Sequence, residues 1–152
     1  MSKKAFTLIE ILLVIGLIVI LAGALIVAIN PGRQLAKARD TRRSNDISQI
    51  LTSIRANETN NGRFTCNSNN PPDTLPTTTA TITSDESTNS LGNGYFNLRC
   101  LIPDYTPKLP IDPSADQNGT ITDYTIIYNT STRLIKICAP RAETQTNLCK
   151  ES

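Results

Sequence analysis

The chain has 152 residues, of which 39% are hydrophobic, 18% charged and 5% aromatic, with a formal net charge of +2 and no histidine. That length allows one modest domain plus an appendage, and without histidine the Ser/His/Asp and Cys/His catalytic arrangements, the commonest general base near neutral pH and the commonest metal ligand are all missing, so no enzyme is expected. Charge counted by segment is +1 up to Glu10, +4 from Arg33 to Arg43 and −3 from Ser44 onward, which is not the broad basic face with aromatic platforms that nucleic-acid binding calls for.

From Phe6 to Ile29 there are 24 residues with a single charge, Glu10, and the 19 residues from Ile11 to Ile29 are all uncharged, with only Gly16 and Gly23 among bulky apolar side chains. As a helix rising 1.5 Å per residue the segment reaches about 36 Å, enough for a hydrocarbon core of roughly 30 Å. It is apolar all round, so it has no aqueous face. Pro31 lacks an amide proton and its ring would crowd the carbonyl of Val27, which predicts a helix break at Pro31 and Gly32. Beyond it Leu35, then Ile47, Ile50, Leu51 and Ile54 recur at helical spacing, predicting an amphipathic stem over 31–58 that the turn formers from Asn57 to Gly62 bring to an end.

From Asn67 to Gly94 only Leu75, Ala80, Ile82 and Leu91 are apolar, too little burial to offset the entropy of ordering, so 59–94 reads as a polar surface loop. Order is expected to return at Tyr95. Leu109-Pro110-Ile111-Asp112-Pro113 reads as a rigid turn. Asp123–Asn129 and Arg133–Ala139, rich in β-branched and aromatic residues and separated by Thr130-Ser131-Thr132, predict a hairpin. Tyr124, Ile126 and Tyr128 share one face of its first strand, Ile135 and Ile137 one face of its second, and one such face should cover the stripe of the stem.

Cys66, Cys100, Cys138 and Cys149 contain no C-x-x-C pair, and without histidine a zinc ribbon is disfavoured. Two disulfides imply an oxidising compartment. Of the three pairings, Cys66–Cys100 and Cys138–Cys149 are preferred because each closes a local loop; the competing reading is four buried free thiols.

Three readings compete for the amino-terminal segment: a single-pass anchor with Lys3 and Lys4 in the cytosol, a cleaved secretory signal using Ala22-Gly23-Ala24, or a third that accounts for Glu10. A charge inside such a segment is expensive, roughly 2.5–3.5 kcal/mol for Asp, Lys or Arg at a helix centre and less near an end. Lys3-Lys4-Ala5-Phe6-Thr7-Leu8-Ile9-Glu10 followed by the apolar run resembles the type IV prepilin signal. The resemblance implies that a membrane-embedded prepilin peptidase cuts between Ala5 and Phe6, N-methylates Phe6 and leaves the apolar segment in place; Ala5 stands where the family usually has Gly. It also supplies a partner for Glu10, the amino terminus of Phe6 on a neighbouring subunit, which makes Glu10 a register device in a filament. The positive-inside count, two lysines against five basic residues from Arg33 to Arg43, argues for the inverse topology; the signal and the cysteines outweigh it.

Arg33, Lys37, Arg39, Arg42 and Arg43 read as a solvated helix face against lipid headgroups or acidic residues of adjacent subunits, with DNA capture, which some pilins perform, as the minority reading. Asp112, Asp116, Asn118 and Asp123 are a weak candidate calcium set, since related pseudopilins carry calcium in the body, although their spacing is not that of an EF-hand. Asn57, Asn118 and Asn129 match the glycosylation sequon. The parts are then a leader (1–5), a membrane and filament-core helix (6–30), the stem (31–58), the polar loop (59–94) and a small β-rich disulfide-bonded head (95–152), an α+β pilin-like fold with a small antiparallel sheet. Pieces of the head, from Tyr105 to Pro113 and the strands of Tyr124 and Cys138, also look like those of some bacterial type IV pilins and major pseudopilins. The expected function is structural: a type IV pilus subunit, held in the cytoplasmic membrane with its body outside and polymerised by an inner-membrane assembly platform into a surface fibre for adhesion, motility or DNA uptake. No cofactor is implied, and the partners are copies of the chain, the peptidase and lipid. The alternatives are a type II secretion pseudopilin or a monomeric signal-anchored exported protein that binds a ligand.

Overall fold

A computed structural model describes residues 6–66, 74–84 and 94–152, with the backbone alone over 26–29. The leader 1–5, with Lys3, Lys4 and Ala5, and the parts 67–73 and 85–93 of the polar segment lie outside the described residues. The chain divides into two compact units, Met1–Ala36 and Lys37–Ser152.

In the first unit, α1 (Leu8–Ile29) begins at Thr7, whose Oγ1 accepts the backbone N–H of Glu10 at 3.4 Å. This satisfies one of the amide donors orphaned at a helix start. At the other end Asn30 adopts a left-handed conformation, φ 46°, which a short polar side chain tolerates. Asn30 then serves the next helix as well, its Oδ1 accepting the amide of Arg33 at 3.3 Å. Pro31 opens α2 (Pro31–Asn61), where a missing N–H costs nothing and φ is already helical. The interruption is therefore a single residue.

In the second unit, the part of α2 from Lys37 onward buries Asp40, Arg43, Ile47, Ile50, Leu51, Ser53, Ile54 and Asn57. The apolar stripe of the sequence is its middle; Leu35, which the same period includes, is exposed. The helix runs three residues beyond 58. Asn57, expected to help end it, instead reaches out of it: Nδ2 donates to the Thr65 carbonyl at 2.9 Å and Oδ1 accepts the Thr65 amide at 3.0 Å. Gly62, at φ 75°, takes the turn that follows.

The sheet consists of β1 (Ala80–Thr83), β2 (Tyr95–Asn97), β3 (Ile121–Asn129), β4 (Leu134–Ala139) and β5 (Leu148–Glu151) in the order β2-β1-β3-β4-β5. The expected hairpin is β3–β4, with Ile126 opposite Ile137 and Tyr128 opposite Ile135. Two expectations are corrected. The 59–94 segment is not wholly a loop: Ala80-Thr-Ile-Thr83 forms a strand inside the sheet, and Leu75, Ala80 and Ile82, three of the four apolar residues between Asn67 and Gly94, are buried. β-branched Thr and Ile suit a pleated surface even where overall polarity is high. The sheet is also mixed rather than antiparallel, because β1 and β2 run parallel.

Tyr124, Ile126, Ile135 and Ile137 from the hairpin pack with Ile82, Phe96 and the stem stripe Ile47, Ile50, Leu51 and Ile54 in one core. Full burial of each such side chain contributes about 1.5–3 kcal/mol. Disulfides join Cys66 to Cys100 and Cys138 to Cys149, the latter between facing residues of β4 and β5.

Candidate functional site

Two features stand apart from an ordinary core. The first is the surface of α1. Every described side chain of the helix is exposed, from Leu8 and Ile9 through Ile20, Leu21 and Leu25. Among the described residues it is the one helix long and apolar enough to cross a membrane, over Leu8–Leu25. A membrane span and a signal sequence both have this character. Phe6 precedes it, three-quarters exposed. Glu10 is exposed in its first turn, where the partial positive charge of a helix amino end favours a carboxylate. Thr7-Leu8-Ile9-Glu10 has the spacing of a capping box, and its forward hydrogen bond is made. Sequence reasoning passed over this local role, although the T-x-x-E pattern carries it.

The second feature is an ion-pair cluster between α2 and the loops of the head. Arg43, fully buried, donates from Nε to Asp112 Oδ2 at 2.7 Å and from Nη2 to Asp112 Oδ1 at 3.0 Å, a bidentate fork. It also donates to Asp40 Oδ1 at 2.8 Å, Ser114 Oγ at 2.9 Å and Glu143 Oε1 at 3.1 Å. Asp40 in turn accepts the Thr144 amide and hydroxyl, both at 2.6 Å, and the Glu143 amide at 3.0 Å. Arg39 closes the edge through Nε to Glu143 Oε1 at 2.6 Å. Burial alone would push the Asp40 carboxyl up, but the hydrogen bonds from Thr144, the Glu143 amide and Arg43 outweigh it and hold the group well below the carboxylate range. Hydrogen bonds from Arg39 and then Arg43 pull Glu143 down to about 2. The fork to Asp112, against the cost of burial, raises the pKa of Arg43, so it stays charged throughout. Nearby the Tyr124 hydroxyl donates to Asp46 Oδ2 at 2.8 Å. Burial first, then that bond, raises the phenol, and burial raises Asp46.

The cluster corrects two sequence expectations. Arg43 is not part of a solvated basic face: it is spent inside the protein on three carboxylates, and Arg39 is paired with Glu143. The calcium candidates are engaged with other partners. Asp112 is buried on Arg43, Asp123 Oδ2 pairs with Arg141 at 2.9 Å, and Asp116 Oδ1 accepts the amide of Asn118 at 3.0 Å. A guanidinium neutralises a carboxylate that calcium would need. Among the described residues no group of three or more His, Cys, Asp or Glu side chains could hold a metal ion. Of the sequons, Asn57 is buried with its amide hydrogen-bonded, whereas Asn118 and Asn129 are exposed. Pro31 and Gly32 begin α2, while Lys3, Lys4 and Ala5 lie outside the described residues. No known family model, curated protein or solved structure matches this chain.

Proposed function

We propose that the chain is a fibre subunit of the type IV pilin kind: inserted into the cytoplasmic membrane as a precursor, cut between Ala5 and Phe6, and polymerised through α1 into a filament on the cell surface. The observation that carries this reading is the surface of α1, apolar around its circumference and exposed at every described side chain. Such a helix needs lipid or other apolar helices around it, and exchanging one for the other need not lose hydrophobic stabilisation, because both environments are apolar. A fibre subunit needs that interchange and a permanent anchor does not. The prepilin-like run from Lys3 to Glu10 supports the fibre over the anchor, with the Phe6 amine of one copy meeting Glu10 of the next, since an ion pair in low dielectric costs far less than a lone carboxylate. Two disulfides support a body outside the cytosol. A pseudopilin of type II secretion uses the same mechanics.

A second reading, a monomeric signal-anchored protein, is favoured by the capping role of Glu10, which gives the residue a use without any neighbour. Mass spectrometry of the mature amino terminus separates the two. N-methyl-Phe at residue 6 supports the fibre, an intact Met1 the anchor, and a start near Leu25 an ordinary secreted protein. Glu10→Val is expected to insert and be processed yet yield few or misregistered filaments; a normal filament yield contradicts the pairing.

A further inference from the structure

Where the carboxyl end of α2, the residues leading into β1 and the β3–β4 turn converge, they enclose a cleft of about 800 Å³, within the range of small-ligand sites. Phe64 and Tyr128 supply aromatic walls, Thr74 and Thr130 hydroxyls, and Arg63 and Arg133 guanidinium groups. The walls are held in place: Phe64 is buried with its ring 6.1 Å from that of Phe96, and the Tyr128 amide donates to the Pro76 carbonyl at 2.7 Å. A third arginine at the rim, Arg55, is already committed, to Glu58 at 2.6 Å and to Ser152. Among the described residues neither Arg63 nor Arg133 has an ion-pair partner, so the described lining carries net positive charge.

The carbonyl end of α2 at Asn61 lies at this cleft and contributes partial negative charge there. That attracts the arginines and works against an anion, increasingly so as the anion's charge rises. Phosphates are instead held by helix amino ends and backbone nests. A singly charged carboxylate fits the planar fork of arginine, while aromatic faces with hydroxyls beside them suit a body that is apolar on its ring faces and hydroxylated at its edge. We infer that this cleft binds a carboxylated saccharide unit, a hexuronate of an extracellular polymer, through Arg63 and Arg133 with the sugar ring against Phe64 and Tyr128. All of these residues belong to the unit Lys37–Ser152, and the inference does not depend on fibre assembly.

The test is isothermal titration of the full-length chain in detergent micelles with galacturonate trisaccharide, galactose trisaccharide, inorganic phosphate and adenosine monophosphate. Saturable binding of the galacturonate alone is expected, weakened roughly tenfold or more in Arg63→Gln/Arg133→Gln. Arg63→Lys/Arg133→Lys keeps the charge and loses the fork; it should weaken binding severalfold with an unchanged near-ultraviolet spectrum. No saturable binding overturns the proposal, leaving the arginines as companions of the helix end. Equal binding of the neutral sugar, or of phosphate or the nucleotide, overturns the ligand class, and affinity unchanged in both double variants overturns the site.

Discussion

Replacing Arg43 by Met removes the centre of the ion-pair cluster, and the structure says where the loss falls. Asp40 keeps three hydrogen bonds without it, from the Glu143 amide and from the amide and hydroxyl of Thr144. Glu143 is about one-third exposed and keeps Arg39, so little depends on Arg43 there. Asp112 is different: fully buried, among the described residues it retains only the Ser114 amide at 2.8 Å. Stripping one partner from a buried pair costs about 3–5 kcal/mol, most of it the uncompensated charge left behind. Arg43→Met should therefore lower stability by about that much, and adding Asp112→Asn, which retains shape and the acceptor for Ser114, should recover most of the loss. Adding Asp40→Asn should recover little. Urea unfolding of the full-length chain in micelles, followed by the near-ultraviolet signal of its tyrosines, measures the cycle. A cost below about 1 kcal/mol, or equal rescue by Asp40→Asn, would refute the assignment of the penalty to Asp112.

Asp40 and Glu143 have pKa values below their ordinary 3.8 and 4.5. Their stabilisation is thus fully present above the ordinary range and is lost as pH falls through the lowered values, so the unfolding midpoint should drop between about pH 5 and about pH 2, less steeply in Asp40→Asn. Asp46 has the opposite sign: raised by burial, it disfavours folding once ionised, which softens the acid loss without reversing it. Tyr124→Phe removes the donor to Asp46 at a cost of about 1–2 kcal/mol and should push the Asp46 carboxyl higher still; carbon-detected NMR titration reads this, and an unmoved Asp46 would count against the pairing. Cys66 and Cys100 are 34 residues apart, Cys138 and Cys149 11 apart. Replacing the first pair by Ser should cost about 4 kcal/mol and the second about 3 kcal/mol, because the longer loop gains more freedom on unfolding; urea midpoints in the reverse order would contradict that account.

What was legible in the sequence was whatever a period or a run of apolar residues encodes: α1, the stripe Ile47–Ile54 and the β3–β4 hairpin. The missed elements break those signals. In β1 only Ala80 and Ile82 are apolar, and the strand is recognised by what its β-branched threonines pair with. Leu148-Cys-Lys-Glu151 is short and half charged, and needs β4 beside it to be a strand. Arg43 was hidden by its company, four other basic residues that suggest a wet face. One signal was available: Asp40, Arg43, Ile47, Ile50, Ile54 and Asn57 continue a single spacing of three and four, so the buried stripe has polar ends that a purely apolar template does not register. The partners at those ends, Asp112, Thr144 and Thr65, lie far along the chain or beyond a turn, and only the fold brings them together.

The two roles open to Glu10 are compatible if they act at different times. In an uncut chain the nitrogen of Phe6 is an amide and carries no charge, and among the described residues Glu10 sits at the amino end of its own helix, where Thr7 caps and the dipole favours a carboxylate near the edge of the apolar segment. Cutting before Phe6 turns that nitrogen into an amine, a cation that an N-methyl group leaves protonated. The partner that makes a buried Glu10 tolerable then comes into existence with the cut and on every copy at once. In the proposed fibre, a precursor that retained its leader would lack the charged Phe6 nitrogen that pairs with Glu10, and a matured one would bring a matched pair. On that proposal processing would gate assembly through electrostatics, with no change in the apolar surface of α1, and register would follow because the Phe6 nitrogen and the Glu10 carboxylate lie four residues apart at the start of an apolar run.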